Sequence, residues 1–252
     1  MPRVARKKSE TGIYHIIIRG INEQNIFEDD EDYEKFLQVV QQYKEKSVYQ
    51  IYAYCLMENH MHLLLKVGQE PLAQIMRRIC GSYVYWYNWK YKRIGNLFQG
   101  RFKSEPVEND KYFLTVLRYI HQNPVKAGIE KDVVNYKWSS YSEYMNIGKL
   151  TDIDFALSLF HEDKKRSIKL FDKFTHETND EKCLEIEENH RITDEEAKSM
   201  LKRICNMSTP SEFQRLDIQE RNRILKDIKE GGLSIRQIER LTGINRGVVL
   251  KA

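Results

Sequence analysis

Residues 48–67 read VYQIYAYCLMENHMHLLLKV and contain two apolar runs rich in β-branched and aromatic residues. The two runs, 48–56 and 60–67, are joined by a short link in which Glu58 and Asn59 favour a tight turn. Strands joined by so short a link pair antiparallel, so this stretch predicts a β-hairpin. It is the part of the chain that most restricts the fold.

The segments on either side of the hairpin predict further strands and helices in alternation. Their order, β-α-β-β-α-β-α, indicates an α+β fold with an antiparallel sheet and helices packed on one face, ending near residue 145. The predicted elements are a strand at 13–19, a helix from the acidic run 29–32, a helix from Pro71 to about Lys92, a strand at 97–107, and a helix from the cap Asp110 that stops at Asn123 before Pro124.

The carboxyl-terminal third predicts an α-helical region. One or two helices are expected over 151–175, then an acidic linker over 176–192, and a helix that opens at the capping box 193–196. A helix over 217–230 precedes two short helices, 234–241 and 245–251, joined by a turn with Gly243. This pattern is typical of a helix-turn-helix, with Arg246 on its recognition helix, although a plain helical hairpin gives the same pattern.

The predicted domain boundaries follow from these segments. We expect a catalytic domain over 8–145, a helical region with its acidic linker over 146–212, and a helix-turn-helix segment over 213–252.

Composition and charge exclude several classes of protein. The 252 residues are 41% hydrophobic and 31% charged, and no apolar run approaches the roughly 20 residues of a membrane span. The four cysteines lie far apart, in no disulfide or zinc-site spacing. The basic amino terminus has no apolar segment after it, so it is not a secretory signal. We expect a soluble, cytoplasmic protein without a membrane partner.

The net charge of +4 is modest, but the basic residues are clustered. A stretch around 76–93 mixes bases with tyrosine and tryptophan, which fits either a solvated face over core aromatics or a surface that binds single-stranded nucleic acid. The candidate DNA-binding residues are Arg3, Arg6, Lys7 and Lys8 in the amino-terminal arm, Arg77 and Arg78 in the mixed stretch, and Arg101 and Lys103 after it.

Four residues are candidates for chemistry. His60 and His62 lie two apart on a strand and point to the same face, where two imidazoles can chelate one divalent ion. Tyr119 and Asn123 lie four apart on a helix and share a face, so a nucleophilic phenol and an amide oxygen, a ligand for Mg²⁺ or Mn²⁺, stand one turn apart. Packed histidines and a core tyrosine give the same spacings, and Tyr112 is a competing nucleophile.

Several motifs together resemble the single-tyrosine HUH transposases, most closely the REP-associated branch. The match covers roughly residues 8–145 in the same order along the chain. It is carried by CLMENHMHLLL at 55–65, LFQGRFKS at 97–104, RYIHQNPVKAG at 118–128, Tyr14-His15 through Arg19-Gly20, and Trp138 through Tyr141. The helix-turn-helix is similar to a DNA-binding appendage of some relatives.

The resemblance implies an HUH, ferredoxin-like core with a definite set of roles. His60, His62 and Asn123 would be ligands of Mg²⁺ or Mn²⁺, Asn123 standing where some relatives have glutamine. Tyr119 would attack DNA and form a covalent 5′-phosphotyrosine. The expected partner is single-stranded or hairpin DNA, with duplex DNA at the helix-turn-helix. His121 and Lys103 are candidate proton acceptors by position alone.

Other readings of the same residues remain open. The chain could be a DNA-binding regulator on an idle transposase fold, a metal-dependent nuclease that uses water as the nucleophile, or an enzyme that acts on RNA. The sequence also leaves open whether the chain is a monomer or a homodimer, and whether Tyr119 meets its own histidines or those of a second copy.

Overall fold

The structure is a computed structural model that describes residues 6–146, 149–179, 183–184, 194–205, 213 and 215–251. Its contacts divide the chain into two compact units, Met1–Ile186 and Glu187–Ala252. This division differs from the three predicted segments, because the helices between residues 153 and 176 pack within the first unit. Among the described helices, none has both the length and the apolar character needed to cross a membrane.

The first unit is built on a four-stranded antiparallel sheet in the order β2-β3-β1-β4. Its strands are β1 (Ile13–Arg19), β2 (Gln50–Met57), β3 (His60–Lys66) and β4 (Lys103–Pro106). The predicted hairpin is present as β2 and β3. In the central pair, Ile17 of β1 lies opposite His62 and Arg19 lies opposite His60. The predicted strand at 97–107 is shorter in the structure, where Phe98 forms only an isolated bridge to Gly20.

Helices cover both faces of this sheet. The helices α1 (Asp30–Ser47) and α2 (Leu72–Lys90) bury one face, and α3 (Asp110–Lys126) buries the other. The α+β class is therefore confirmed, but the helices do not lie on one face only. The reason is visible in the central strands, which are apolar at successive positions and not at alternate ones. Such strands require cover on both sides.

Helix α3 continues beyond the proline that was expected to end it. Pro124 lies within the helix, and the amide of Ala127 still donates to the carbonyl of Asn123 at 2.9 Å. Proline has no amide hydrogen, so the helix loses only the bond to the carbonyl four residues earlier. Only two helical residues follow Pro124, so the kink that proline favours affects little of the helix. The amino-terminal cap is Asn109, one residue before the predicted Asp110. Asn123 consequently stays in helical register with Tyr119.

Three shorter helices complete the second face of the sheet. These are α4 (Tyr141–Met145), α5 (Ile153–Ser158) and α6 (Lys164–His176). Tyr144 and Phe171 stack at 4.3 Å between ring centroids and are both fully buried. The predicted helical stretch 151–175 is thus two helices that belong to the same core as α3.

The second unit is helical, as predicted. It contains α7 (Asp194–Cys205), α8 (Ile218–Glu230), α9 (Ile235–Thr242) and α10 (Arg246–Lys251), around a core that includes Leu225, Ile228 and Ile238. A capping box opens α9, with Ser234 and Gln237 bonding reciprocally. Gly243 ends α9 with a φ of 69°, a conformation that favours glycine. Most of the predicted acidic linker and the capping residue Thr193 lie outside the described residues.

Candidate active site between the sheet and helix α3

His60 and His62 lie on β3 and face α3, as the alternation along the strand predicts. Their ring centroids are 5.2 Å apart, and His62 is almost fully buried. Met61 between them is buried in the opposite core, against α1 and α2. Strand geometry alone therefore accounts for the placement of both imidazoles on one face.

Helix α3 places Tyr119 and Asn123 directly over these histidines. The Asn123 Nδ2 lies 3.2 Å from Nε2 of His62, and the same amide hydrogen-bonds His60. The Tyr119 ring is 5.5 Å from the His62 ring, in an edge-to-face contact. Because α3 packs on β2 and β3, the two residue pairs that the sequence singled out meet at one interface.

A third histidine, His15 on β1, also belongs to this cluster. Its Nε2 lies 3.1 Å from Nδ1 of His62, and the two rings stack at 5.4 Å. His15 lies within the motif Tyr14-His15 through Arg19-Gly20, which by itself assigns the residue no role. The signal was available, because an imidazole within the apolar run 13–18 must find a buried polar partner.

Burial keeps all three imidazoles neutral. It lowers the pKa of His15 to about 3. Burial also lowers the pKa of His60 to about 4, with Arg19 adding to the effect and the Asn123 hydrogen bond opposing it. The pKa of His62 lies well below its ordinary value because of burial and the neighbouring His15 and His60. Neutral imidazole is the form that binds metal ions, so these histidines need not lose a proton near pH 7.

The donor set fits a divalent metal. Nδ1 of His60 lies 2.7 Å from the Asn59 side-chain oxygen, which can only accept, so the proton is on Nδ1 and the lone pair is on Nε2. No group of three or more His, Cys, Asp or Glu suited to a metal occurs among the described residues. The Asn123 amide oxygen is a candidate third donor, of the kind that suits Mg²⁺ or Mn²⁺.

Tyr112, the competing nucleophile, forms its hydrogen bond away from the histidine cluster. The Tyr112 hydroxyl donates a hydrogen bond to the carboxylate of Glu105. Burial, together with this carboxylate, raises the pKa of Tyr112 well above its usual range. Of the two tyrosines considered, Tyr119 is the one that contacts the histidine cluster.

His121 does not face this cluster, although it is close in sequence. It lies two residues after Tyr119 on α3, and residues two apart on a helix do not share a face. Its Nε2 is 2.8 Å from the Ser140 hydroxyl, and its ring packs against Tyr144 and Phe171. The suggestion that His121 accepts the proton of Tyr119 is therefore wrong.

We expect His121 to make the first unit sensitive to acid. Burial lowers its folded-state pKa to about 3, whereas in the unfolded chain it titrates near ~6.5. Its contribution to stability is complete above pH 6.5 and is lost as the pH falls toward 3. By pH 5 the loss is about 2 kcal/mol. Urea unfolding of the protein and of His121→Gln between pH 7 and pH 4 measures this, and the variant should show the shallower pH dependence.

His176 provides the control for that experiment. It is partly exposed, and its hydrogen bonds to Asp172 and Asp132 raise its pKa. His176→Gln should therefore leave the acid loss in place. Equal pH dependence in the wild type and in His121→Gln would contradict the prediction.

Two lysines lie near the candidate site, Lys103 at the edge of the sheet and Lys126 beside Tyr119. Lys103 on β4 pairs with Ile17, whose other neighbour is His62, so Lys103 lies on the α3 side of the sheet at its exposed edge. Lys126 was missed by the sequence reasoning. Its Nζ lies 5.0 Å from the centre of the Tyr119 ring, which follows from their spacing of two helical turns.

Three of the predicted basic residues meet in one place. Arg6, Arg77 and Arg101 line a cavity of about 400 Å³ with an apolar lining that includes Met76 and Phe98. The Arg6 guanidinium also stacks on Phe102 at 3.7 Å. Burial, together with the charge of Arg101, lowers the pKa of Arg6, which indicates that these cations stand close together.

The remaining basic candidates are arranged differently. Arg78 forms an ion pair with Glu70 at 2.7 Å, and Arg246 forms one with Glu239. Lys7 and Lys8 are exposed, and Arg3 lies outside the described residues.

Comparison with protein families shows what this sheet, with histidines and a tyrosine at its interface with α3, resembles. Residues 8–123 match the family described as transposase IS200 like. The matched stretch, a little under half of the chain, contains all four strands of the sheet and the residues from His60 to Asn123, so over this stretch the chain is similar to the IS200-like transposases. No curated protein matches the chain significantly.

A solved structure shares the fold of the first unit. The chain is similar to a REP-associated tyrosine transposase bound to a REP hairpin, with 20% identity and a TM-score of 0.50 over 61% of this chain and 96% of that one. A candidate transposase from Deinococcus radiodurans R1 is 16% identical, with a TM-score of 0.35 over 48% of this chain and 97% of that one.

Proposed function

We propose that this protein is a transposase that nicks and rejoins single-stranded DNA through a covalent 5′-phosphotyrosine at Tyr119, with a divalent metal held by His60, His62 and Asn123. The observation that carries the proposal is the meeting of these four side chains between β3 and α3. Each side chain alone is weak evidence for catalysis. Together, two neutral imidazoles and an amide supply ligands for a metal, and the phenol supplies a nucleophile, which are the two requirements of this phosphoryl transfer.

The metal and its ligands have a definite task in this proposal. A bound Mg²⁺ or Mn²⁺ stabilises the negative charge that develops on the scissile phosphate. His60 and His62 are held on a rigid strand and Asn123 on a packed helix, so the ligands are positioned before DNA arrives. Lys126 adds positive charge beside the Tyr119 ring.

The transfer step conserves a phosphodiester bond. The Tyr119 oxygen forms a bond to phosphorus, and the bond from phosphorus to the 3′-oxygen breaks. The phenol loses a proton and the leaving 3′-oxygen gains one, so the step needs no net proton. A second 3′-hydroxyl reverses the step on a new strand and releases Tyr119, so no nucleotide cofactor is consumed.

A single chain already contains the whole cluster. The Tyr119 ring is in contact with His15 and His62 of the same copy. This supports a site that acts in cis, and a homodimer is not required to complete it.

The DNA substrate is proposed from the basic cavity and from the likeness in fold. Arg6, Arg77 and Arg101 can contact phosphates, and the apolar lining suits an unpaired base. Lys7, Lys8 and Arg3 extend the basic arm. A hairpin is proposed because the REP-associated transposase of similar fold was solved on one. Duplex contact through Arg246 in the second unit remains a separate proposal.

We expect the double variant Arg77→Gln, Arg101→Gln to bind single-stranded DNA more weakly. Loss of two phosphate contacts should reduce the slope of log affinity against log salt by about 1.4. Fluorescence anisotropy at several salt concentrations measures both effects. Arg78→Gln, one residue away but paired with Glu70, is the matched control and should keep the wild-type slope. An equal change in both proteins would rule out a specific role for the cavity.

The test of the proposed function is a trapping experiment. Labelled hairpin DNA with a single-stranded flank is incubated with the protein and Mn²⁺ and run on a denaturing gel. A labelled band at protein size is expected, and it should disappear without the metal. Cleavage without that band would indicate a nuclease that uses water, and binding without cleavage would indicate a regulator.

A further inference from the structure

His15 is a buried histidine that the proposed chemistry has not used. It is fully buried on β1, and its Nε2 lies 3.1 Å from Nδ1 of His62. Its ring stacks on that of His62 with an interplanar angle of 24° and meets the Tyr119 ring edge-on at 5.8 Å. One side chain therefore contacts both a proposed ligand and the proposed nucleophile.

The two nitrogens of His62 have different partners. Nε2 faces the Asn123 amide at 3.2 Å, on the side of the proposed metal site, and Nδ1 faces His15. If Nε2 is to donate its lone pair to a metal, the single proton of the neutral ring must lie on Nδ1. His15 Nε2 is then the acceptor of that proton's hydrogen bond. A ligand histidine generally needs such a partner on its other nitrogen to fix the ring and its tautomer.

The surroundings of the other nitrogen of His15 show that core packing does not require a histidine at this position. With Nε2 accepting, the His15 proton lies on Nδ1, which is buried without a hydrogen-bond partner among the described residues. Burying an unsatisfied polar atom is unfavourable. A leucine or phenylalanine at position 15 would avoid that penalty, so the structural requirement for an apolar core does not explain the histidine.

We infer that His15 is a positioning residue: its hydrogen bond holds His62 in the tautomer that presents Nε2 to the metal, and its ring holds that of Tyr119. This inference rests on the proposed function, since it assigns a partner to a proposed ligand. His15 does not touch the reacting phosphate in this account and acts only through His62 and Tyr119.

The test compares two replacements of His15. Glutamine can still accept a hydrogen bond from His62, whereas phenylalanine fills the space but cannot. Mn²⁺ affinity of the DNA-free protein, measured by electron paramagnetic resonance, should fall about 10- to 100-fold in His15→Phe. It should stay within a few-fold of wild type in His15→Gln. Unchanged affinity in His15→Phe, or an equal loss in both variants, would overturn the inference.

A second measurement needs only the wild-type protein and so does not depend on the folding of any variant. Long-range ¹⁵N–¹H spectra of the Mg²⁺-bound protein report which nitrogen of each histidine is protonated. The expected result is a proton on Nδ1 of His62, and a proton on its Nε2 would overturn the inference. Neither readout involves DNA. Wild-type metal binding with the expected tautomer but no phosphotyrosine would therefore reject the proposed chemistry and leave the role of His15 standing.

Discussion

Replacement of Tyr119 by phenylalanine is expected to abolish the covalent protein–DNA adduct and to lower strand cleavage by at least ~10⁴-fold. The substitution removes only the hydroxyl, so the ring should keep its packing against His15 and His62. DNA binding and thermal stability should change little, since the loss is confined to the nucleophile. Quantification of adduct and cleaved strand, together with anisotropy on the same hairpin, separates these effects.

Tyr112 offers the matched control on the same helix. Its hydroxyl is bonded to Glu105 and not to the histidine cluster. Tyr112→Phe should therefore retain the adduct, with a loss of stability at most. An adduct that survives in Tyr119→Phe and disappears in Tyr112→Phe would exchange the roles of the two tyrosines.

The second large effect is expected from His62→Ala. This variant removes a proposed ligand from the centre of the cluster and leaves His15 without its partner. We expect Mn²⁺-dependent cleavage to fall at least ~100-fold, more than the loss of an outer partner usually costs. Titration of Mn²⁺ against cleavage rate measures it, and raised metal concentration should restore only part of the rate.

Met61→Leu is the control for this variant. Met61 is adjacent in sequence, but its side chain points into the core beneath α1 and α2. A volume-conserving change there should leave both metal dependence and rate close to wild type. A His62→Ala protein with unaltered metal dependence would show that the metal, if required, binds elsewhere.

Local patterns predicted much of the first unit. The strand at 13–19 and the hairpin around Glu58 and Asn59 follow from apolar runs and a short turn, which are properties of neighbouring residues. The placement of Tyr119 and Asn123 on one face of α3, one turn apart, follows from helical spacing. The length of α3 was not predicted correctly. The rule that a helix stops before proline considers only the one hydrogen bond that proline cannot donate. Near the end of a well-packed helix, packing offsets that loss.

Local sequence patterns likewise predicted one part of the site, whereas the other part depends on tertiary contacts. Alternation along β3 gave the shared face of His60 and His62, but their meeting with α3 is a tertiary contact. The role of His15 depends on β1 lying beside β3, and the spacing of residues within one strand cannot show that pairing. The prediction that His121 accepts the proton of Tyr119 was wrong because nearness in sequence does not place two residues on the same face of a helix.

The measurement that tests the central claim most directly is the location of the covalent bond. The trapped protein–DNA adduct is digested with protease and nuclease, and mass spectrometry identifies the peptide that carries the residual nucleotide. The account predicts a 5′-phosphate ester on Tyr119, in the peptide between Arg118 and Lys126. A nucleotide attached to another residue, or cleaved DNA with every peptide unmodified, would contradict it.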